Sequence, residues 1–472
     1  MSGPRIGRRG ATAVLVAVSL AQITTVLDYY ALSVALPQMA GDFHVRPTDL
    51  HWMLTGYLLG FAALLVLGGR LADRYGRKRV LLIGVATFGL GSALCGLAPT
   101  IPLLVAFRVI QGVGAALIVP ASMAALVQAF PRERRGWAVG IVVGVTSAGT
   151  AVGPFVGGAL AGTLGWRSVF LVNVPIMVAA IVMCVLALDE SRDADDRGSL
   201  DWAGAALLAG MLLTLTLAID RAREWPVVPL AVTAGAAVAF LVAFLAVERR
   251  VAHPIIDLAV VRGHGVRRII ASGCMDNYGW AVCVFAVTLY LQVVRGLSPV
   301  ATGAVFLALS AGTAVGGPMA GRMARWISVG PTMAVGLALS ALGLVWLAML
   351  GSTWGFLIAL ALTGAGVGLA YSTVIFATAS SAPEGRSGAA EGITMTAMIM
   401  AAAIAITTCG MLIEALSPTG HATRGSIAGV LLVGAAVTGA GLLLLGAGSV
   451  VRAIARLGPQ RPTRDVASRA KL

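Results

Sequence analysis

Fourteen long apolar runs dominate this chain, and they leave it few choices of fold. Each holds about 18 to 30 residues, and roughly 20 suffice to carry a helix across some 30 Å of hydrocarbon. They extend from Ala11 to Pro37, Leu50 to Gly69, Val80 to Leu97, Ile101 to Phe130, Gly136 to Leu164, Val169 to Leu188, Trp202 to Ile219, Val227 to Val247, Ile269 to Val294, Val300 to Met319, Pro331 to Leu350, Trp354 to Ser381, Ser387 to Leu416 and Ile427 to Val451. The first run is too long for a signal-peptide core and contains Asp28, so it counts as a span. No water-soluble core could enclose so much apolar surface. Of the 472 residues, 58% are hydrophobic and 11% charged, against roughly 25% charged in a soluble domain. The expectation is an all-α integral membrane protein with 14 transmembrane helices: two six-helix bundles with two inserted helices between them. Residues 1–188 would form the first bundle, 189–268 a linker holding the inserted pair, 269–451 the second bundle and 452–472 a basic tail.

Charge fixes the expected orientation. Of the 34 Lys and Arg, 27 fall on the side that holds both termini, six on the other (Arg46, Arg167, Arg221, Arg223, Arg295, Arg424), and Arg108 lies inside a span. The positive-inside rule then places both termini in the cytoplasm. An error of one span would invert the later loops and erase the contrast. The net charge of +14 is spread over span ends, which suits topology and anionic lipid and not nucleic acid. Heavy use of Ala, Gly and Arg, with only Lys78 and Lys471 as lysines, points to a GC-rich bacterial genome and hence a bacterial cytoplasmic membrane.

Several function classes are disfavoured. The five cysteines lie in apolar stretches without disulfide or metal-ligand spacing. The five histidines are scattered over loops on both sides, so neither a metal site nor an enzyme's catalytic group is visible. There is no phosphate-cradling Gly-x-x-x-x-Gly-Lys-Ser/Thr segment for ATP, and no filter loop or charge ring for a channel. No cofactor is expected, and ATP is not the expected energy source.

Three segments carry a more specific signal. Gly69-Arg70-Leu71-Ala72-Asp73-Arg74-Tyr75-Gly76-Arg77-Lys78-Arg79, after the second span, resembles the cytoplasmic motif of the major facilitator superfamily. The resemblance implies that Gly69, Asp73, Arg74, Gly76 and Arg77 latch one transport state, with Asp73 facing a neighbouring helix N-terminus. The segment Leu104 to Ala116, with Arg108 and Gln111, is similar to the fourth-span motif of the same superfamily. Gly149, Gly153, Pro154, Gly157 and Gly158 resemble the fifth-span motif of its antiporter branch, which implies export. Small residues at this spacing permit close helix contact, and a proline can bend the span. Leu27-Asp28 and Ala35-Leu36-Pro37, with Gly165-Trp166-Arg167 and Asn173-Val174-Pro175, resemble the fourteen-span drug/proton antiporter family. Tyr30 and Ser33 depart from the family's first-span pattern, and Ser168 stands where an aromatic is usual. A weak internal echo pairs Gly69 to Arg74 with Gly317 to Arg322, as a duplicated transporter would show.

The implied function is proton-coupled export of drugs, antibiotics or similar small amphipathic compounds; a metabolite moved by efflux or import is the alternative. A carboxyl inside hydrocarbon is costly to keep ionised, which makes it fit to exchange protons. Asp28, Asp276 and Glu391 are the acids inside spans, and with Arg108 they are the expected proton-coupling residues. Asp276 has two readings, a group facing the same cavity as Asp28 from the other half or a hydrogen-bonded contact between helices. Tyr29, Tyr30, Tyr57, Gln111, Asn277, Tyr278 and Tyr371 are expected to line a cavity for a lipophilic or cationic substrate. The expected partners are that substrate, protons and the lipid bilayer, with the protein acting as a monomer.

Overall fold

The computed structural model describes residues 8–191, 201–222, 224–251, 264–349, 351–381, 387–417 and 422–457. The first half contains α1 (Arg8–Phe43), α2 (His51–Tyr75), α3 (Arg77–Leu97), α4 (Ile101–Ala129), α5 (Arg132–Leu164), α6 (Arg167–Leu171) and α7 (Asn173–Ala187). Next come α8 (Trp202–Asp220) and α9 (Val227–Glu248). The second half contains α10 (His264–Leu289), α11 (Pro299–Ile327), α12 (Val329–Ala348), α13 (Thr353–Ser381), α14 (Ser387–Ala415) and α15 (Arg424–Leu457). No strand occurs among the described residues. Among the described residues thirteen helical segments, with α6 and α7 taken together, are long and apolar enough to cross a bilayer; α5 is the fourteenth when its two parts count as one span.

Prolines account for the irregularities. α5 bends by 44° between Thr150 and Val152, because Pro154 has no N–H for the Thr150 carbonyl four residues earlier. Pro175 likewise leaves the Leu171 carbonyl without a helical donor, and the sixth span breaks into α6 and α7 at Val172. Pro37, expected to end the first span, lies inside α1, which runs on to Phe43. A membrane helix tolerates proline where neighbouring groups satisfy the loosened backbone. Pro37 leaves the Ser33 carbonyl without its helical donor, and Gln292 Nε2, from a π-helical turn after α10, donates to the adjacent Val34 carbonyl at 2.7 Å.

In the first half α4 packs against α2 and α3, and α1 against α5 and α7; in the second half α13 packs against α11 and α12, and α10 against α14 and α15. The halves meet along two seams, α2 with α14 and α5 with α11. α8 lies over the first seam and touches both α2 and α14. Leu208, Met211 and Leu212 of α8 cluster there with Ile399 and Met400 of α14.

Glycine contacts give the register of the duplication. A Cβ on Gly112 would lie 2.2 Å from the Tyr57 carbonyl oxygen, and one on Gly364 would lie 1.9 Å from that of Leu309. Both partners are offset by 252 positions (57 to 309, 112 to 364). The same offset relates Gly84 and the Gly114 carbonyl to Gly336 and the Gly366 carbonyl. It therefore pairs Gly69-Arg70-Leu71-Ala72 with Gly321-Arg322-Met323-Ala324, about one helical turn beyond the echo expected from sequence. Glycine recurs every four residues in this part of α11, so the sequence match alone could slip by a turn.

In lipid, helices gain little from burying apolar surface and cohere through close packing. Gly112→Ala is therefore expected to lower stability by about 1–3 kcal/mol, the usual cost of overpacking. Thermal unfolding of the purified protein in detergent would register this as a fall in Tm.

Candidate functional site

The strongest polar site lies inside the first half, where α1, α3, α4 and α7 converge. Asp28 (α1) and Arg108 (α4) are both 0% exposed, with Arg108 Nη1 2.5 Å from Asp28 Oδ2. Nη1 also donates to Gln111 Oε1 at 2.7 Å, and Nε donates to the Met53 carbonyl at 3.2 Å. The other carboxylate oxygen, Oδ1, accepts from Asn173 Nδ2 at 2.7 Å and from Gln111 Nε2 at 3.0 Å. Ser92 Oγ (α3) accepts from the same two amides, at 3.0 and 3.2 Å, and donates to the Phe170 carbonyl of α6 at 2.9 Å. A guanidinium so enclosed must be paired and desolvated along its faces. Its carbon sits 4.4 Å from the Tyr57 ring centroid and 5.7 Å from that of Phe170.

Aromatic rings connect this network to the second half. Tyr57 stacks with Tyr29 at 6.0 Å, Tyr29 meets Tyr30 edge-on at 5.1 Å, and Tyr30 meets Trp280 of α10 at 5.9 Å. Trp280 Nε1 donates to the Tyr30 hydroxyl at 3.0 Å. Tyr29, Tyr30, Ser33, Leu54, Trp280 and Phe285 border a space of only about 10 Å³, room for one water at most. A drug-sized ligand needs roughly 300–1,000 Å³, so the halves are shut together here.

The remaining expected cavity residues lie within the second half. Asn277 Nδ2 donates to the Met398 carbonyl at 2.6 Å, and the Tyr278 hydroxyl pairs with Thr408 at 2.7 Å, so both tie α10 to α14. Tyr371 is 36% exposed and its hydroxyl contacts Met395 Sδ at 3.8 Å. Asp276 is 2% exposed and faces Ser340 of α12. The structure thus places Asp276 on a different side of α10 from Asn277 and Tyr278 and does not bring it to Asp28. Glu391 falls in α14, but its side chain lies outside the described residues.

The residues of the expected latch lie together where α2 turns into α3. Gly76 turns the chain between α2 and α3 at φ 112°, where an L side chain would be strained. Asp73 pairs with Arg77 at 2.9 Å, one turn on. Arg77 also donates to Gln128 at 2.9 Å, and Arg74 covers the Tyr75 ring at 5.5 Å. Glu190 takes the N-terminus of α3: its carboxylate accepts from the Lys78 and Arg79 backbone N–H groups at 3.3 and 3.2 Å. That position also matches the positive end of the α3 dipole. Gly69 packs on Pro120 of α4.

The fifth-span glycines serve two partners. Gly149, Gly153 and Gly157, four residues apart, face Ile23, Tyr30 and Ala31 of α1. Gly158 faces the Pro299 carbonyl of α11, and Gly303 of α11 faces the Pro154 carbonyl, so these two close the seam between the halves.

At the face opposite the Gly69–Arg79 loop, an ion-pair cluster joins the halves. Arg46 pairs with Asp49 at 2.8 Å and with Glu414, the last residue but one of α14, at 3.1 Å. Thr48 also donates to Glu414, at 3.0 Å. Asp220, the last residue of α8, lies 3.1 Å from His51 and 2.9 Å from the Trp52 indole nitrogen. Sequence reasoning missed Ser92, Trp280, Glu190 and this cluster, and gave Asn173 no role.

Fold and site together define a polytopic α-helical membrane transporter built from two repeated halves. Residues 18–406 match the profile of the Major Facilitator Superfamily, and the chain belongs to it. It is 32% identical over 425 residues to the tetracenomycin C resistance and export protein of Streptomyces glaucescens, covering 87% of this chain and 77% of that protein. It is 32% identical over 406 residues to the multidrug resistance protein Stp of Mycobacterium tuberculosis, covering 85% and 75%. Among solved structures, a POT family transporter in complex with 5-aminolevulinic acid superposes with a TM-score of 0.69 at 12% identity, covering 97% of this chain and 99% of that one. The POT family transporter PepTSo gives 0.67 at 14% identity, covering 96% and 99%. These two likenesses concern the fold.

Proposed function

We propose that this protein exports small amphipathic compounds, of the drug or antibiotic kind, across a bacterial cytoplasmic membrane in exchange for protons. Relatives named for antibiotic resistance and export, alike over most of the chain, support the direction and the class of cargo. Support for proton coupling comes from one observation above the rest: a fully enclosed Asp28–Arg108 pair linked to the interface of the halves through Tyr57, Tyr29 and Tyr30.

In this reading an ionised Asp28 holds Arg108, and so α4 against α1. A proton on Asp28 cancels the charge that attracts Arg108, and at low dielectric that attraction is large. Tyr57, stacked between Arg108 and Tyr29, passes the change to Tyr30 and Trp280, where the halves meet. Separation of the halves then opens the closed aromatic space to a lipophilic or cationic compound, alternately on each side. The uneven Lys and Arg distribution supports cytoplasmic termini, which makes the face closed by Arg46 and Glu414 the external one. Asp276 is assigned to proton coupling less directly, through helix packing in the second half.

The test is a panel of lipophilic cations and aromatic antibiotics added to inside-out vesicles that hold an imposed proton gradient. At least one compound is expected to dissipate the gradient in vesicles containing this protein and in none lacking it. A panel without effect in both would sink the reading.

A further inference from the structure

The chain contains two asparagines in 472 residues, Asn173 and Asn277, and Asn173 is 0% exposed. Every partner of Asp28 is a donor: Arg108 Nη1, Gln111 Nε2 and Asn173 Nδ2. That shell suits a carboxylate, which only accepts. A carboxyl carrying a proton has an O–H that needs an acceptor, and burial leaves no water to supply one. Around Asp28 the possible acceptors are few. Gln111 Oε1 is engaged by Arg108, and turning that amide would set its NH2 against the guanidinium. Ser92 Oγ already accepts twice and donates once. The Met53 carbonyl is held by Arg108 Nε. Asn173 Oδ1 is buried with no hydrogen-bond partner. A buried acceptor left unpaired is a rare and costly feature that calls for an explanation.

We propose that Asn173 reads the protonation of Asp28 by rotating its amide half a turn, donating through Nδ2 to the carboxylate and accepting through Oδ1 from the carboxylic acid. This rests on the reading that Asp28 exchanges protons. The balance is simple: one proton binds Asp28, the acid's O–H replaces the Asn173 N–H donation, and no covalent bond other than that O–H forms or breaks. The rotation also withdraws Nδ2 from Ser92, whose hydroxyl holds the Phe170 carbonyl of α6. Asn173 is the first residue of α7, beside the break that Pro175 imposes, so the turn acts where the span can hinge. The titratable or charged groups around Asp28 among the described residues are Tyr29 on α1, Tyr57 on α2, Cys95 on α3 and Arg108 on α4; α7 contributes only the amide.

The test uses the full chain in lipid nanodiscs, with asparagine side chains labelled with 15N and no transported compound present. Only two side-chain amide signals arise, and Asn277→Ser assigns them. Infrared difference spectra across the same pH range follow the carboxyl C=O band, and Asp28→Ala identifies the part due to Asp28. The expected result is that the Asn173 signal shifts with the same pH midpoint as the Asp28 band, that the Asn277 signal stays still, and that Asp28→Ala removes the Asn173 response. A titrating Asp28 band with an unmoving Asn173 signal overturns the amide switch and leaves proton exchange standing. Absence of any Asp28-dependent band overturns proton exchange itself, and the switch with it. The coincidence of midpoints in the unmodified protein is decisive even where the alanine variant does not fold.

Discussion

Asp28→Asn is expected to abolish proton-driven transport and at the same time to lower Tm sharply. The substitution keeps the volume of the side chain and removes its charge, leaving the Arg108 guanidinium fully enclosed with neutral partners only. Removing one member of a buried pair costs about 3–5 kcal/mol, mostly because the survivor is left uncompensated. A second substitution separates stability from function. In the double variant Asp28→Asn with Arg108→Gln no charge remains buried at this site, so much of the lost stability should return. A thermodynamic cycle over the four proteins should show coupling of about 1–3 kcal/mol, as is usual for residues in direct contact. Transport in vesicles should stay at background in both variants. A double variant that regains stability and also exports against a proton gradient would remove Asp28 from the mechanism.

The parts of this site legible in sequence are those that hydrocarbon makes expensive. Asp28, Arg108 and Gln111 stand out because a charge or an amide inside an apolar run demands a partner, and the structure brings these three within hydrogen-bonding distance of one another. Ser92 was not legible: a serine in a span can satisfy itself on its own helix, so its presence announces nothing. Asn173 was visible as a residue of a motif, but its partner Asp28 lies 145 positions away, and a single sequence shows no such pairing. The same limit hid the cluster of Arg46, Glu414, His51 and Asp220, whose members sit at the ends of three different spans.

Span number was legible because each crossing needs its own apolar length. Helix rotation was not. Several of these helices are apolar nearly all round, so no polar stripe tells which side faces a neighbour. Asp276 illustrates this, since its place eight residues or so into a run fixed its depth and left its direction open; it faces α12. The echo of Gly69 to Arg74 failed for a related reason. Glycines spaced by four make two registers look alike, and only interhelix contacts distinguish them.

The adjacent glycines Gly157 and Gly158 make the second large prediction, because one faces within a half and the other across the seam. A Cβ on Gly157 would lie 2.1 Å from the Ala31 carbonyl oxygen of α1, and one on Gly158 would lie 2.2 Å from the Pro299 carbonyl oxygen of α11. Both insults meet backbone, the one at Gly157 more tightly. Gly157→Ala strains the α1–α5 contact, which both transport states require if each half moves as a body, so its expected effect is a lower Tm with the balance of states unchanged. Gly158→Ala strains only the arrangement in which α5 and α11 touch. At about 1–3 kcal/mol for overpacking, that shifts the ratio of closed to open forms by about 5–150-fold. Spin labels at Leu164 on α5 and Arg295 ahead of α11, both exposed in this structure, should then report a longer distance in Gly158→Ala and the parental distance in Gly157→Ala. Equal losses of Tm with unchanged distances in both would mean that the α5–α11 seam is a fixed packing surface, and that the halves do not part there.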